Sequence, residues 1–232
     1  MKKILTIGPI LPQWSEIYSF NKHLQFLSKN YAIDFIDPLE DVHDDIDPKL
    51  FFNNWIAKLE NIFLQYDIFF GFSLGGIILQ HCFNVLAIYK KPIILFSTPS
   101  FSDNLLCMRF DKILSLIKEK SIHAAIKTLN NYVQYPHVGV CNFTLDNPEK
   151  AALRLSKGLQ FVKSNDRRHM LSKTSMRYLH LIGEKSKLVN INNVIASTNS
   201  NIFVIPNSGM RVLQDNLPIC IKHINKFLKD HI

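Results

Sequence analysis

Residues 66–76 read Tyr-Asp-Ile-Phe-Phe-Gly-Phe-Ser-Leu-Gly-Gly, an apolar run that leads directly into the pattern G-x-S-x-G at residues 71–75. This pattern is typical of a nucleophile elbow, a sharp turn between a strand and a helix that exposes a serine hydroxyl at the tip of a sheet. We expect Ser73 in strained backbone, and we expect side chains at Gly71 and Gly75 to collide across the turn. The helix that starts here would direct its N-terminal amides at negative charge forming on the serine. The stretch therefore predicts both a fold and a reaction.

Outward from this turn, short apolar strands alternate with amphipathic helices. The predicted strands cover residues 3–7, 32–36, 67–70, 92–96, 176–182 and 202–205. The predicted helices cover residues 15–27, 49–64, 74–87, 190–197 and 218–229. This alternation predicts an α/β protein with a mostly parallel, doubly wound sheet.

Between residues 103 and 173 the pattern changes to helices alone, over residues 105–118, 122–133 and 148–162. We interpret this stretch as a helical insertion. The predicted organisation is a core formed by residues 1–102 and 174–232 and a helical lid at residues 103–173, placed above Ser73.

Length and composition fit one globular domain, because the chain has 232 residues, of which 47% are hydrophobic. No apolar run approaches the ~18–20 residues of a membrane helix, and the short apolar stretch after Met1 lacks the features of a signal peptide. We expect a cytoplasmic protein with no membrane span. The four cysteines are widely spaced, so we expect free thiols, no metal site and no cofactor.

The net charge of +8 is concentrated in one segment. Residues 101–177 hold 13 Lys or Arg against 6 Asp or Glu, a surplus of 7. A basic segment on a near-neutral body favours an acidic partner, although a solvated charged surface would give the same pattern. Nucleic-acid binding is a distant alternative, because no helix-turn-helix, aromatic RNA-binding motif or zinc pattern is present.

Several segments together resemble a known family. The elbow at residues 71–76, the strand and small-residue turn at 94–102, the strand and turn at 181–189, and residues 208–210 with 218 and 224–228 follow one another in the family's order. They resemble the α/β-hydrolase family, and more narrowly the pimeloyl-acyl-carrier-protein methyl ester carboxylesterases of biotin synthesis. The resemblance implies an α/β-hydrolase fold, an acyl ester or acyl chain as ligand, and an acidic acyl carrier protein as partner. The residues proposed to bind that carrier are Arg154, Lys157, Arg167 and Arg168.

The resemblance also assigns the positions of a catalytic triad, and this chain departs from them. Ser73 occupies the nucleophile position, Ser186 the position of the acid, and Met210 the position of the histidine. A serine hydroxyl is a poor nucleophile until a histidine takes its proton and a carboxylate holds that histidine. Methionine cannot accept a proton, so efficient ester hydrolysis is not expected from these three residues.

The oxyanion hole of this chain also departs from the family's pattern. The family uses a backbone N–H after the first strand, and here Gly8 is followed by Pro9, which has no N–H. The N–H of Leu74 remains as the second donor, and the amide of Ile10 is a candidate substitute.

Replacements for the missing triad members are few. Asp103 follows a strand at a place where some hydrolases of this fold carry their acid. His81 is about two turns along the elbow helix, His43 lies in an acidic loop, and three histidines of the predicted lid could fold over Ser73: His123, His137 and His169.

Two hypotheses follow. In the first, the protein keeps the fold and an acyl pocket but has impaired or lost hydrolase activity, and the elbow is retained for its structural role in packing. In the second, it is an active carboxylesterase with a rearranged triad.

Overall fold

The computed structural model describes residues 1–137, 139 and 144–231. Its centre is a six-stranded sheet in which every neighbouring pair of strands is parallel and the strand order is β2-β1-β3-β4-β5-β6. The strands are β1 (Lys2–Ile7), β2 (Tyr31–Ile36), β3 (Ile68–Phe72), β4 (Ile93–Phe96), β5 (Tyr178–Gly183) and β6 (Asn201–Ile205). The prediction of a parallel α/β sheet is confirmed.

Helices cover both faces of this sheet. They are α1 (Tyr18–Leu24), α2 (Pro48–Ile62), α3 (Leu74–His81), α4 (Phe83–Ile88), α5 (Asn104–Lys118), α6 (Ile122–Gln134), α7 (Pro148–Ser164), α8 (Arg168–Lys173), α9 (Val212–Asp215) and α10 (Leu217–Lys229). No helix in the part of the chain that the structure describes combines the length and the apolar character needed to cross a membrane.

Strand residues alternate between two hydrophobic cores, because successive side chains of a strand point to opposite faces of the sheet. Phe69 packs with α2, α3 and α7 on one face, whereas Phe70 packs with α10 on the other. Both side chains are fully buried. Burial of each such ring from water stabilises the fold by about 1.5–3 kcal/mol, so these two layers fix the sheet between its helices.

The carboxyl ends of the strands meet at one edge of the sheet. The register pairs Ile7 with Gly71, and Phe72 with Phe96. The chain reverses its direction of winding between β1 and β3, and in open α/β sheets ligands bind beyond the carboxyl ends at such a switch point. The segments that follow β1, β3, β4, β5 and β6 therefore lie where a site is expected.

Two helix predictions need correction. The predicted helix at residues 190–197 is a single 3₁₀ turn, Ile191–Asn193. Side chains compete with the helix there: Asn190 caps the turn, the Ser100 hydroxyl accepts the N–H of Ile195 at 3.0 Å, and the Ser197 hydroxyl donates to the Met176 carbonyl at 2.7 Å. The predicted helix at residues 74–87 is divided at Cys82 into α3 and α4.

The sequence reasoning also missed two short helices, α8 and α9. Of the four cysteines, Cys82, Cys107 and Cys220 are free thiols, as predicted, and Cys141 lies outside the described residues.

Candidate active site

Ser73 connects β3 to α3 in a backbone conformation that is unusual for a non-glycine residue. Its φ is 50° and its ψ is −110°. The N–H of Ser73 donates to the carbonyl of Phe96 at 3.0 Å, and its carbonyl accepts the N–H of Ile77 at 3.1 Å. Because such conformations persist only where the surroundings impose them, the strand and the helix together hold the serine in strain.

The glycines of the motif allow this close turn. A Cβ on Gly71 would lie 2.5 Å from the Cα of Gly76, so the predicted collision across the turn is confirmed there. A Cβ on Gly75 would instead strike the carbonyl of Ile7 in the neighbouring strand. The motif is therefore needed for packing as well as for any chemistry of the serine.

Ser73 lies beside a cavity of about 250 Å³, called here the Ser73 cavity. Its wall combines the loop after β1, the elbow, and residues of α5, α6, α7 and α9. The apolar lining includes Phe20, Phe72, Phe96, Phe110, Leu129, Leu159 and Val162. The only formally charged residues among its described lining are Glu16 and Arg211. A concave, mostly apolar site with some polar groups is typical of a small-molecule pocket.

Met210 lines the Ser73 cavity, and Ser186 lies directly behind it. The Ser186 hydroxyl lies 3.9 Å from the Sδ of Met210 and accepts the N–H of Leu188 at 3.3 Å. The Ser97 hydroxyl donates to the Met210 carbonyl at 2.8 Å. The two residues at the predicted acid and histidine positions are thus in contact, and one of them reaches the cavity that holds Ser73.

The loop after β1 brings Pro9 and Ile10 to the same cavity. Pro9 has no N–H to donate, as predicted. Ile10 is closely packed on α7, since a Cβ on Gly158 would lie 2.9 Å from the Ile10 side chain. Leu74 is the first residue of α3, and the first N–H groups of a helix have no partner within it. The amides of Leu74 and Ile10 are therefore the candidate oxyanion donors.

The structure corrects the prediction that Arg154 is a surface residue for carrier binding, because this residue is only 2% exposed. Its guanidinium donates to both carboxylate oxygens of Asp37, at 2.7 and 2.9 Å, and its Nε donates to the carbonyl of Leu11 at 2.9 Å. The side chain is long enough to reach inward from α7 and tie this helix to the loops after β1 and β2. Arg154 positions the wall of the Ser73 cavity and cannot contact a partner protein.

The other three basic residues differ in availability. The ammonium of Lys157 donates to the carbonyls of Asp44 and Ile46, and Arg167 is half-buried. Arg168 is exposed, and it pairs with Asp166 at 2.6 Å while lying over the ring of Phe101. Of the predicted carrier-binding set, Arg168 is the most accessible.

None of the described residues lining the Ser73 cavity is a histidine. His81 stacks on Phe52 and lies 3.2 Å from the Oδ1 of Asn165, and burial lowers its pKa to about 4. His137 is exposed, and its Nε2 lies 3.9 Å from the Oδ1 of Asp215. The other candidates are also outside the lining: His43, His123 and His169.

Asp103, the alternative acid, has a structural role outside the Ser73 cavity. It is the N-cap of α5, and its carboxylate accepts the N–H of Leu106 at 2.8 Å. It does not line the Ser73 cavity. Within the described ranges, no group of three or more His, Cys, Asp or Glu side chains is arranged to hold a metal ion.

The sequence reasoning missed both charged lining residues, Glu16 and Arg211. Although much of Glu16 is exposed, the surrounding protein desolvates its carboxyl group and raises its pKa. A signal existed for Arg211, because it directly follows Met210 in the sequence. No such signal existed for Glu16, since it lies in the predicted helix at residues 15–27, far in sequence from the motifs.

Comparison with known proteins supports the fold. No family model matches the chain, and no curated protein matches it. Among solved structures, it is similar to MGS-M2, an α/β hydrolase enzyme from a Medee basin deep-sea metagenome library, with a TM-score of 0.75 and 14% identity over 98% of this chain and 89% of that one. It is also similar to a bromoperoxidase from Bacillus anthracis, with a TM-score of 0.73 and 14% identity over 98% and 92% of the two chains.

A third similar structure is MenH from S. aureus, with a TM-score of 0.67 and 18% identity over 99% of this chain and 94% of that one. Identities this low concern the fold alone. The sheet, the flanking helices and these likenesses together define an α/β-hydrolase fold.

Proposed function

We propose that this protein binds an acyl chain or acyl ester in the Ser73 cavity and has impaired or lost serine-hydrolase activity. The observation that carries the proposal is that Ser73, in its strained turn, shares an apolar cavity with Met210 and with no histidine among the described lining residues. Removal of the histidine from a serine triad costs on the order of 10⁶-fold in turnover, and ~10³–10⁴ over water remains from the oxyanion hole and binding.

The narrower likeness to pimeloyl-acyl-carrier-protein methyl ester carboxylesterases belongs to the same proposal. Helices α5, α6 and α7 contribute Phe110, Leu129 and Leu159 to the cavity wall, which supports their interpretation as a lid over an acyl ligand. The acyl ligand is then a carboxylic ester or thioester of a biotin-type pathway, bound with little or no turnover.

The test is an assay of the purified protein and of Ser73→Ala with p-nitrophenyl butyrate and with a methyl pimeloyl thioester. We expect the two proteins to hydrolyse both substrates at the same low rate. Turnover above ~1 s⁻¹ that Ser73→Ala abolishes would contradict the proposal, because ordinary enzymes work at ~1–10³ s⁻¹.

An active carboxylesterase with a rearranged triad is the second candidate, and one observation favours it. His137 is within 3.9 Å of Asp215, whose side chain is 2% exposed and which lies five residues after Met210. A histidine and an acid thus lie near each other, and the acid is close in sequence to the position where the triad histidine is expected. His137→Ala separates the two candidates: it should abolish Ser73-dependent turnover under the second and change nothing under the first.

The acidic acyl carrier protein remains our proposed partner. With Arg154 buried, the docking surface depends on Lys157, Arg167 and Arg168. Arg168→Glu should weaken binding to an acyl carrier protein, whereas Lys229→Glu, an exposed change on α10, should not. Equal affinities of the two variants and the wild type, measured by surface plasmon resonance at low salt, would remove this partner.

A further inference from the structure

Arg211 is the one fixed positive charge among the described residues lining the Ser73 cavity. Such a charge in a mostly apolar wall is costly unless a counter-charge or hydrogen-bond acceptor compensates it. The partners of Arg211 therefore indicate whether the protein itself satisfies it or leaves it for a ligand.

Compensation from within the protein is incomplete. The Nη2 of Arg211 is 3.8 Å from the Oδ1 of Asp215, which is longer than a hydrogen bond. The other oxygen of Asp215 accepts the N–H of Gly209 at 2.8 Å. The Nε of Arg211 is buried and has no hydrogen-bond partner within the described residues. The Nε–H of Arg211 is thus an unused donor of a guanidinium that lines the cavity.

Glu16, the other charged lining residue, is better compensated. Its Oε1 accepts the N–H of Gln13 at 3.3 Å, and much of the side chain is exposed to water. The less compensated charge of the cavity wall is therefore that of Arg211, which favours an anionic ligand.

The volume indicates how much of that anion the cavity can hold. A cavity of 250 Å³ accommodates about eight groups of water's size, at ~30 Å³ each. Because the lining is mostly apolar, most of these groups should be hydrocarbon. Since a planar carboxylate matches the fork of an arginine, a short fatty acid satisfies size, polarity and charge together.

We propose that the ligand of the Ser73 cavity is a short-chain amphiphile with a free carboxylate, which Arg211 binds while the hydrocarbon chain packs on Phe72, Phe96 and Leu159. This inference rests on the proposed acyl-binding function and names its ligand class. It also assigns Arg211 as the residue that determines specificity for the charged end.

The test compares two probes of equal size, hexanoate and hexanamide, by NMR titration at pH 7. Each has about eight non-hydrogen atoms, and only hexanoate is charged. We expect hexanoate to bind the wild-type protein about tenfold more tightly, a factor that corresponds to ~1.4 kcal/mol. Arg211→Gln should remove this preference and leave hexanamide binding unchanged.

The matched control is Arg177→Gln, because Arg177 is exposed and does not line the cavity. It should retain the preference for hexanoate. Equal binding of the two probes by the wild-type protein overturns the role of Arg211 and leaves the acyl-binding proposal standing. If the wild-type protein binds neither probe, the acyl-binding proposal itself is overturned. This outcome is measured on the wild-type protein alone, so it does not depend on whether a variant folds.

Discussion

The hydroxyl of Ser186 lies 3.9 Å from the Sδ of Met210, so the two residues at the expected acid and histidine positions of a triad are in contact across the cavity wall. Neither can do the chemistry of the residue it replaces, because a hydroxyl carries no charge and a thioether accepts no proton. Their contact is the relationship that an acid and a histidine would need if a triad stood at these two positions.

The double variant Ser186→Asp with Met210→His should therefore gain ester hydrolysis. A histidine at position 210 would line the cavity beside Ser73, and an aspartate at 186 would keep the N–H of Leu188 as a partner. We expect turnover of p-nitrophenyl butyrate to rise by at least ~10²-fold, a small part of what a complete triad supplies. Adding Ser73→Ala should abolish the gain. A double variant with an unchanged melting temperature and no gain would show that Ser73 is misplaced for nucleophilic attack.

Ser73→Gly should stabilise the fold relative to Ser73→Ala. Glycine adopts the observed φ of 50° and ψ of −110° without steric cost, whereas alanine keeps the strain. Strain of ~1–3 kcal/mol is relieved and ~0.5–1 kcal/mol is lost to chain entropy, so we expect a net gain of about 1 kcal/mol in the free energy of unfolding. Urea denaturation measures it. The matched change at Ser28, where φ is −62°, should bring no gain, and an equal effect at both sites would mean that position 73 is not strained.

Arg154→Met should destabilise the protein by about 3–5 kcal/mol, because it leaves the carboxylate of Asp37 buried without its counter-charge. The side chains of Arg154 and Asp37 are only 3% and 8% exposed. Arg168→Met removes the arginine of an exposed pair, whose charges are screened by water, and should cost far less. Adding Asp37→Asn to Arg154→Met should recover most of the loss. Similar costs for the two single variants, measured by chemical denaturation, would contradict the buried linkage of α7 to the sheet.

Stability should fall below neutral pH through His180. This side chain is fully buried, its Nε2 accepts the N–H of Thr98 at 3.1 Å, and burial lowers its pKa to about 3. Between ~6.5, the usual pKa of histidine, and about 3, the unfolded chain binds a proton that the folded chain does not. The contribution of His180 is therefore fully present above this range and is lost as pH falls, at ~1.4 kcal/mol per pH unit.

Urea denaturation at pH 7 and pH 5 tests this dependence. We expect His180→Gln to lose about 2 kcal/mol less than the wild type between these two pH values. His169→Gln, a change at an exposed histidine, should follow the wild-type profile. If His180→Gln and the wild type have parallel profiles, His180 is already protonated in the folded protein or is accessible to water.

Local pattern was sufficient to predict most of the secondary structure. The elbow strand, α7 and α10 were predicted to within two residues at each end, because apolar periodicity and helix-start signals such as Pro148 act over a few neighbours. The prediction of a helix at residues 190–197 was wrong for the opposite reason. Its alternative partners, Ser100 and Met176, are distant in sequence and only the fold brings them near.

Residue types and local patterns predicted the parallel sheet, the elbow at Ser73 and the absence of an N–H at Pro9, and the resemblance assigned Ser186 and Met210 to the acid and histidine positions of a triad. Those features depend on residue type and on short-range geometry. The burial of Arg154 against Asp37 and the place of Arg211 in the wall of the Ser73 cavity follow from packing between distant segments. A charge far along the chain reveals neither its burial nor its partner until packing brings the two together, so a basic residue counted as surface became part of the scaffold and another became the predicted anchor for a ligand.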